Sequence, residues 1–175
     1  KYADLPRQSS RGWNARDAVC QDAVQWLNDG LMDVIFPMMY FDNEHFYPFA
    51  MDWKERVNRG TVALGLGIYL LHPRERDWSI IQVRHQMNYL RQAGLGGYAY
   101  FRSKFLTDNV KGIYDWTCQY NKQPALTPAA TSLDSIPPSQ PYATARISDH
   151  RVHLTWQTAT DDSDGTIYYN VYRVE

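Results

Sequence analysis

The sequence contains no long apolar run and no excess of charge of either sign. None of its hydrophobic stretches reaches the roughly 18 residues that a membrane-spanning helix needs, so no membrane span is expected. The 18 basic and 19 acidic residues give a net charge of −1, and no basic stripe runs along the chain. Nucleic acid therefore has no electrostatic reason to bind, and we do not expect it as a partner.

Cysteine is scarce, and Cys20 and Cys118 are the two in the chain. Two cysteines are too few for a disulfide framework, and these two do not have the spacing of a metal site. Both fall in segments of helical periodicity, where a free cysteine behaves as a small hydrophobe, so we expect buried thiols. The run GLGIYLL at 65–71 lacks the third glycine of a dinucleotide-binding loop. We therefore expect no cofactor and no metal.

Helical and strand patterns alternate in the first two thirds of the chain. Apolar runs typical of buried strands begin near residues 33, 61 and 97, and helical periodicity covers about 14–29, 49–59, 80–93 and 108–120. A spacing of about 30 residues is typical of βα units on a parallel sheet. Three such units are fewer than a barrel or a doubly wound sheet contains. Because the chain also starts without methionine or a signal peptide, we expect the remaining strands upstream, in a longer protein.

The composition changes at Gln123. The segment QPALTPAATSLDSIPPSQP carries five of the nine prolines and is typical of a linker. Beyond it, RVHLTW and TIYYNVYRV alternate apolar and polar residues on either side of a DDSDG turn. Two strands around a polar turn indicate the start of an antiparallel sandwich.

Aromatic and titratable side chains follow the predicted strands, at the point where each strand ends. The active site of a parallel barrel lies at the C-terminal ends of its strands. This rule selects three clusters: Tyr40, Phe41, Asp42, Glu44 and His45; Tyr69 and His72; and Tyr98, Tyr100 and Arg102. Aromatic rings pack on the C–H faces of sugars, and polar side chains bond the sugar hydroxyls, so these residue types predict a saccharide site. Alternatively, the aromatics fill the end of the core and the charged side chains solvate loops, which we favour for His45 and His72.

Four segments, taken together, resemble a known family. WLNDGLMDVIFPMMYF, GLGIYLLHP, GLGGYAYFRSKFL and QPALTP, in this order, are similar to the closing third of the glycosyl-hydrolase-like barrel family, once catalogued as a domain of unknown function. That family includes secreted and lipoprotein bacterial glycosidases, one of which acts on peptide-free peptidoglycan strands. The tail WQTATDDSDGTIYYNVYR resembles the fibronectin type III modules that follow such barrels.

The resemblance implies a fold class and a location. Residues 1–124 would be an α/β unit, the C-terminal part of a TIM-type (β/α)8 barrel with about three βα units that correspond to strands six to eight. Residues 125–141 would be the linker, and residues 142–175 the truncated start of an all-β fibronectin III-like module. The protein would be extracellular, periplasmic or attached to the cell envelope as a lipoprotein. Its partner would be an oligosaccharide or polysaccharide.

The predicted site lacks a complete catalytic pair. Glycoside hydrolysis needs two carboxyl groups on opposite sides of the scissile bond. Asp42 is the catalytic candidate, but Glu44 shares its loop, so a partner carboxylate is expected from a strand outside this chain. We therefore expect the 175-residue chain to be inactive by itself and to supply a wall that binds substrate. The residues predicted for this wall are Tyr40, Phe41, Glu44, Tyr69, Tyr98, Tyr100 and Arg102.

Some alternatives remain open at this point. The guanidinium of Arg102 can hold a carboxylate or a pair of sugar hydroxyls in a planar fork, or it can pair with Asp42. The whole chain can belong to a non-catalytic carbohydrate-binding module or to a structural surface protein. A partial barrel also has open strand edges, which predict self-association.

Overall fold

A computed structural model of the protein describes residues 15–128, 134–163 and 165–173. Contacts divide the chain into two units, residues 1–132 and 133–175, and the border falls within the proline-rich segment. None of the helices in the described ranges is both long enough and apolar enough to cross a membrane.

Helices and short strands alternate in the described part of the first unit. In chain order they are α1 (Ala15–Val19), α2 (Ala23–Asn28), β1 (Val34–Ile35), α3 (Asn43–Arg56), β2 (Thr61–Val62), β3 (Leu64–Leu66), a 3₁₀ helix (Ile68–Leu71), α4 (Ile80–Gln92), β4 (Tyr98–Tyr100), α5 (Ser103–Thr107), a second 3₁₀ helix (Val110–Gly112) and α6 (Ile113–Tyr120).

The three apolar runs lie side by side and parallel, in the order of the chain. β1 pairs with β2, and β3 pairs with β4. A parallel bridge between Met38 and Gly65 extends the first run along the second. The parallel pairing of the three runs, predicted from their spacing, is therefore confirmed, whereas a closed barrel stays a prediction.

The sheet has one covered face and one open face. Side chains alternate between the faces of a strand, and Val62, Leu64 and Leu66 lie in the buried core with residues of α3 and α4 such as Phe46, Ala50, Val83 and Met87. On the opposite face, Val34, Phe36 and Met38 are 42%, 61% and 70% exposed. Parallel sheets are normally covered on both faces, and no helix or strand of the described ranges covers this apolar face.

Several element boundaries differ from the sequence prediction. The second helix begins at Asn43 rather than near residue 49, because the Asp42 side chain caps it. The second apolar run leaves the sheet after Leu66 and turns into the 3₁₀ helix. The first predicted helix is divided in two, and Asp22 caps the second part. The predicted cap Asn14 lies outside the described residues.

The expectation of buried thiols is wrong, because both cysteines are exposed. Cys20 follows the end of α1, where its φ of 57° takes the chain out of the helix. Cys118 lies on the exposed side of α6, one turn after the exposed Tyr114. The periodicity of short amphipathic helices thus placed both residues on the wrong face.

The second unit contains an antiparallel hairpin. β5 (Ala143–Ser148) pairs with β6 (Arg151–Trp156) through the two-residue turn Asp149–His150, where both residues have positive φ. The predicted strand RVHLTW is thus confirmed, but its partner precedes it in the chain. Residues 166–173 of the run TIYYNVYRV form no strand, and Tyr169 instead packs on Trp156, with ring centroids 5.5 Å apart. A complete sandwich stays a prediction.

Candidate functional site

Three aromatic rings converge at the C-terminal ends of the parallel strands. We call Tyr40, Tyr69 and Phe101 the tip cluster. The rings of Tyr40 and Phe101 stack, with centroids 5.2 Å apart and planes at 22°. The ring of Tyr69 stands at nearly a right angle to both, at centroid distances of 5.7 Å and 5.8 Å. The three residues follow three different strands, so the sheet itself brings them together.

Backbone hydrogen bonds hold the cluster in place. Phe101 follows β4 directly, and its N–H donates to the carbonyl of Leu66 at 2.9 Å. Tyr69 lies on the first 3₁₀ helix, and its N–H donates to the carbonyl of Phe101 at 3.2 Å. The early exit of the second run from the sheet therefore places Tyr69 above the end of its neighbour strand.

Two glycines make room for Tyr40. A Cβ atom added at Gly67 would lie 3.2 Å from Cβ of Tyr40, and one at Gly65 would lie 3.3 Å from its Cε1 and 2.9 Å from the carbonyl oxygen of Pro37. These distances are shorter than ordinary side-chain contacts. The sequence prediction that these glycines permit a close approach is confirmed.

A fourth ring, that of Phe105, connects the tip cluster to polar side chains. Phe105 is buried on α5, and its centroid lies 6.4 Å from that of Tyr69. The imidazole of His72 meets the Phe105 ring at 5.8 Å, and the guanidinium carbon of Arg102 lies 5.5 Å from the same centroid. Basic side chains thus stand beside the aromatic rings at the strand ends.

Asp42 caps α3 at this end of the sheet. Its Oδ1 accepts the backbone N–H of His45 at 3.2 Å and lies 2.8 Å from His45 Nδ1. The hydrogen bond from the His45 side chain, together with the His45 backbone N–H and the charge of Arg76, lowers the pKa of Asp42, although partial burial opposes the shift. The carboxylate is therefore ionised at neutral pH. The side chain that contacts it is that of His45 and not that of Arg102.

The hydroxyls of the tip cluster are available to a ligand. Burial, and then the neighbouring Tyr69, raise the pKa of Tyr40, so its phenol is neutral at physiological pH and can donate as well as accept. Within the described ranges, no side-chain hydrogen bond involves the hydroxyl of Tyr40 or Tyr69. Both groups are partly exposed.

Tyr98 and Tyr100 lie on the other face of the sheet. The Tyr100 hydroxyl is 3.1 Å from Thr117 Oγ1, and the Tyr98 hydroxyl donates to Asn121 Oδ1 at 2.8 Å. Both partners belong to α6 or to the residue after it. Burial raises the pKa of Tyr100 far above its ordinary value. The structure therefore does not bring these two tyrosines to the tip cluster.

The remaining predicted residues stand near the strand ends in separate contacts. The Phe41 ring stacks on Phe49 at 5.2 Å, and its carbonyl accepts a hydrogen bond from the buried Gln86 at 3.0 Å. Glu44 is exposed in the first turn of α3, where its charge suits the helix dipole. Phe101 is the member that the sequence analysis missed. Its signal was the alternation along β4, where it shares a face with Ala99.

A pocket and a group of three carboxylates lie outside the tip cluster. A pocket of about 260 Å³ lies at the opposite ends of the strands, around Gly60, Thr61 and Gly96. In the second unit, carboxylate oxygens of Asp134, Asp161 and Asp162 lie within 4.8 Å of one another. Asp134 already accepts the N–H of Ile136, and Asp161 accepts a bond from Ser163, so local turns account for part of this acidic group.

Comparisons of the chain with protein-family models, curated proteins and solved structures found no significant match.

Proposed function

We propose that the first unit is part of a (β/α)8 barrel and that its tip cluster binds a glycan. The convergence of Tyr40, Tyr69 and Phe101 at the ends of three parallel strands carries this proposal. Ligand sites of parallel α/β folds lie at this end of the strands. The open apolar face of the sheet supports the barrel, since further strands would cover it as a barrel interior.

The chemistry of the cluster suits sugars. Phe101 is 45% exposed, which leaves ring surface free for the C–H face of a pyranose. Tyr40 and Tyr69 add phenolic O–H groups that can bond sugar hydroxyls as donors or as acceptors. A few polar groups around an apolar platform are the usual composition of a small-molecule site.

The proposed role is the substrate wall of a secreted or envelope-bound glycoside hydrolase that acts on a polysaccharide or a peptidoglycan-type glycan. The low pKa of Asp42 favours an ionised carboxylate that acts as a base, a nucleophile or a charge stabiliser. A general acid needs a raised pKa, so the second carboxyl group would come from another strand of the complete protein. The resemblance to glycosidase barrels supports this role.

Titration of the protein with chitohexaose, monitored by calorimetry, tests the glycan site. We expect Phe101→Ala to weaken binding about fivefold, because stacking of a sugar on an aromatic face contributes on the order of 1 kcal/mol. Tyr114→Ala is the matched control, because Tyr114 is an exposed aromatic residue on α6 and outside the tip cluster. Equal losses in both variants, or unchanged binding in Phe101→Ala, would contradict a site at the tip cluster.

A non-catalytic carbohydrate-binding module is the second candidate. One observation favours it: the carboxylate of Asp42 is already engaged by hydrogen bonds, because it caps α3 and contacts His45. This candidate predicts that Asp42→Asn in the complete protein leaves the cleavage of a labelled glycan unchanged or that no cleavage occurs at all. A loss of cleavage with retained binding supports the hydrolase instead.

A further inference from the structure

The guanidinium of Arg102 is exposed and has no hydrogen-bond acceptor among the described residues. Its guanidinium carbon lies 5.5 Å from the Phe105 centroid, and no ion pair or hydrogen bond joins this group to another residue in the described ranges. Three carboxylates in the adjoining segments already have partners: Asp42 is bonded to His45, Asp77 pairs with Lys111, and Asp108 pairs with Lys104. Two others, Glu44 and Glu75, form no ion pair with Arg102 within the described ranges. A positive charge beside the tip cluster is therefore left without a counter-ion from these segments.

His72 supplies a second donor on the same aromatic ring. Its Nδ1 accepts the backbone N–H of Arg74 at 3.1 Å, so the neutral imidazole carries its proton on Nε2. No hydrogen bond to Nε2 occurs within the described ranges. Since His72 and Arg102 both contact Phe105, and Phe105 adjoins Tyr69, the two donors and the tip cluster form one surface.

We propose that the glycan bound here is acidic and that its sugar carboxylate is held by Arg102, with His72 Nε2–H as an additional donor. This inference rests on the proposed glycan site and specifies its substrate class. The planar guanidinium matches a carboxylate with two parallel N–H···O bonds, and such charge-assisted pairs are roughly twice as strong as neutral ones.

The guanidinium of Arg102 favours a carboxylate over a neutral hydroxyl pair. The loop after the first 3₁₀ helix brings Arg74 and Arg76 to this end of the sheet, but Glu75 lies between them and Arg76 interacts with the ionised Asp42. Arg102, in contrast, has no ion pair within the described ranges. A bound carboxylate would give its guanidinium the charge-assisted partner that a neutral hydroxyl pair does not provide.

Hexagalacturonate and its fully methyl-esterified form provide a matched pair of probes, because the ester removes the charge and keeps the sugar. We expect the whole chain to bind the acid about tenfold more tightly than the ester, which is the usual strength of one charge-assisted contact. In Arg102→Ala the ratio of the two Kd values should approach one. Arg102→Lys should retain part of the preference, because it keeps the charge and loses the fork.

Arg146→Ala in the second unit is the control for total charge, since it removes an exposed positive charge from β5 and should keep the preference for the acid. Thermal unfolding of each variant checks the fold. Equal affinity for acid and ester, a preference that survives in Arg102→Ala, or no binding of either probe would overturn the acidic-glycan proposal. The chitohexaose titration with Phe101→Ala decides the glycan site separately, because chitohexaose carries no carboxylate.

Discussion

Asp42 shows how one residue serves both a helix and a site. Its carboxylate accepts the backbone N–H of His45 and bonds the ring Nδ1 of the same residue, so it caps α3 two residues after Tyr40 in the chain. An N-cap residue fixes where the first turn of a helix begins. The orientation of the chain between β1 and α3, and with it the position of Tyr40, therefore depends on this side chain.

Replacement of Asp42 by alanine should lower the free energy of unfolding by about 1 kcal/mol at neutral pH, because the cap is lost. The pKa of Asp42 is lower in the fold than its ordinary value of 3.8. The charge therefore stabilises the fold above pH 3.8, and this contribution is lost as the pH falls through the lower pKa of the folded state. Urea unfolding of both proteins near neutral pH and in acid measures the difference.

The matched control for this prediction is Asp42→Asn, which keeps a good capping oxygen and removes the charge. We expect it to lose less stability than the alanine variant and to lack the acid dependence. An alanine variant as stable as the original chain would show that α3 begins independently of Asp42.

At the scale of elements, the strand β4 decides which side chains reach the site. Alternate residues of a strand face opposite sides, so Phe101 joins the tip cluster while Tyr98 and Tyr100 face the helices. Both faces of a buried parallel strand are apolar, so the sequence YAYF does not reveal which face is which. The prediction chose the tyrosines for their hydroxyls and missed the phenylalanine. If the register of β4 were shifted by one residue, the two tyrosines would face the site and Phe101 would face the helices.

The packing of β4 against α6 predicts a response to alkaline pH. Burial raises the pKa of Tyr100 above its ordinary value of 10.0, against the effect of the Thr117 hydrogen bond. This contribution to stability is present below pH 10.0 and is lost as the pH rises above that value, because the unfolded chain ionises first. Tyr100→Phe should cost about 1 kcal/mol at neutral pH and should show a smaller decline above pH 10.0 in urea unfolding.

The exposed Tyr168 offers the control for that experiment, since Tyr168→Phe changes the same chemical group in the second unit. We expect no change in the stability of the first unit. If the free energy of unfolding of Tyr100→Phe falls at alkaline pH as much as that of the original chain, Tyr100 does not cause the fall.

Helix boundaries were predictable where the caps are unambiguous. The sequence places Ser79 before α4, and its hydroxyl accepts the N–H of Ile81 at 3.3 Å. The start of α3 was missed because the polar residues after Asp42 are equally typical of a loop and of a first helical turn. Pro48 lies inside α3, where the tertiary contacts of Phe46 and Ala50 sustain the helix.

At the scale of the molecule, the first unit combines one packed face with one open face. Backbone N–H groups of Ala63 and Gly65 bond the carbonyls of Ile35 and Pro37. The alternate residues Phe36 and Met38 therefore direct their backbone groups to an edge that pairs with no strand of the described ranges, and their apolar side chains to the open face. We propose that in the 175-residue chain by itself a second copy takes the place that further strands would have in a barrel and covers this edge and face.

Phe36→Lys should weaken that association by at least about tenfold, because the burial of one phenylalanine contributes roughly 1.5–3 kcal/mol and a lysine opposes edge pairing. Sedimentation equilibrium over a range of concentrations measures the change. Ile147→Lys is the control, since it places the same charge at an exposed apolar position of β5. A chain that stays monomeric at high concentration would contradict association through this edge.

The close approach between Gly67 and Tyr40 has an evolutionary consequence. A Cβ atom added at position 67 would lie 3.2 Å from Cβ and 3.4 Å from Cα of Tyr40. Every residue except glycine has that Cβ atom, so a smaller side chain at position 40 would not relieve the contact. Selection should therefore hold position 67 as glycine, and homologous sequences that retain this site should keep it even where the aromatic ring is replaced.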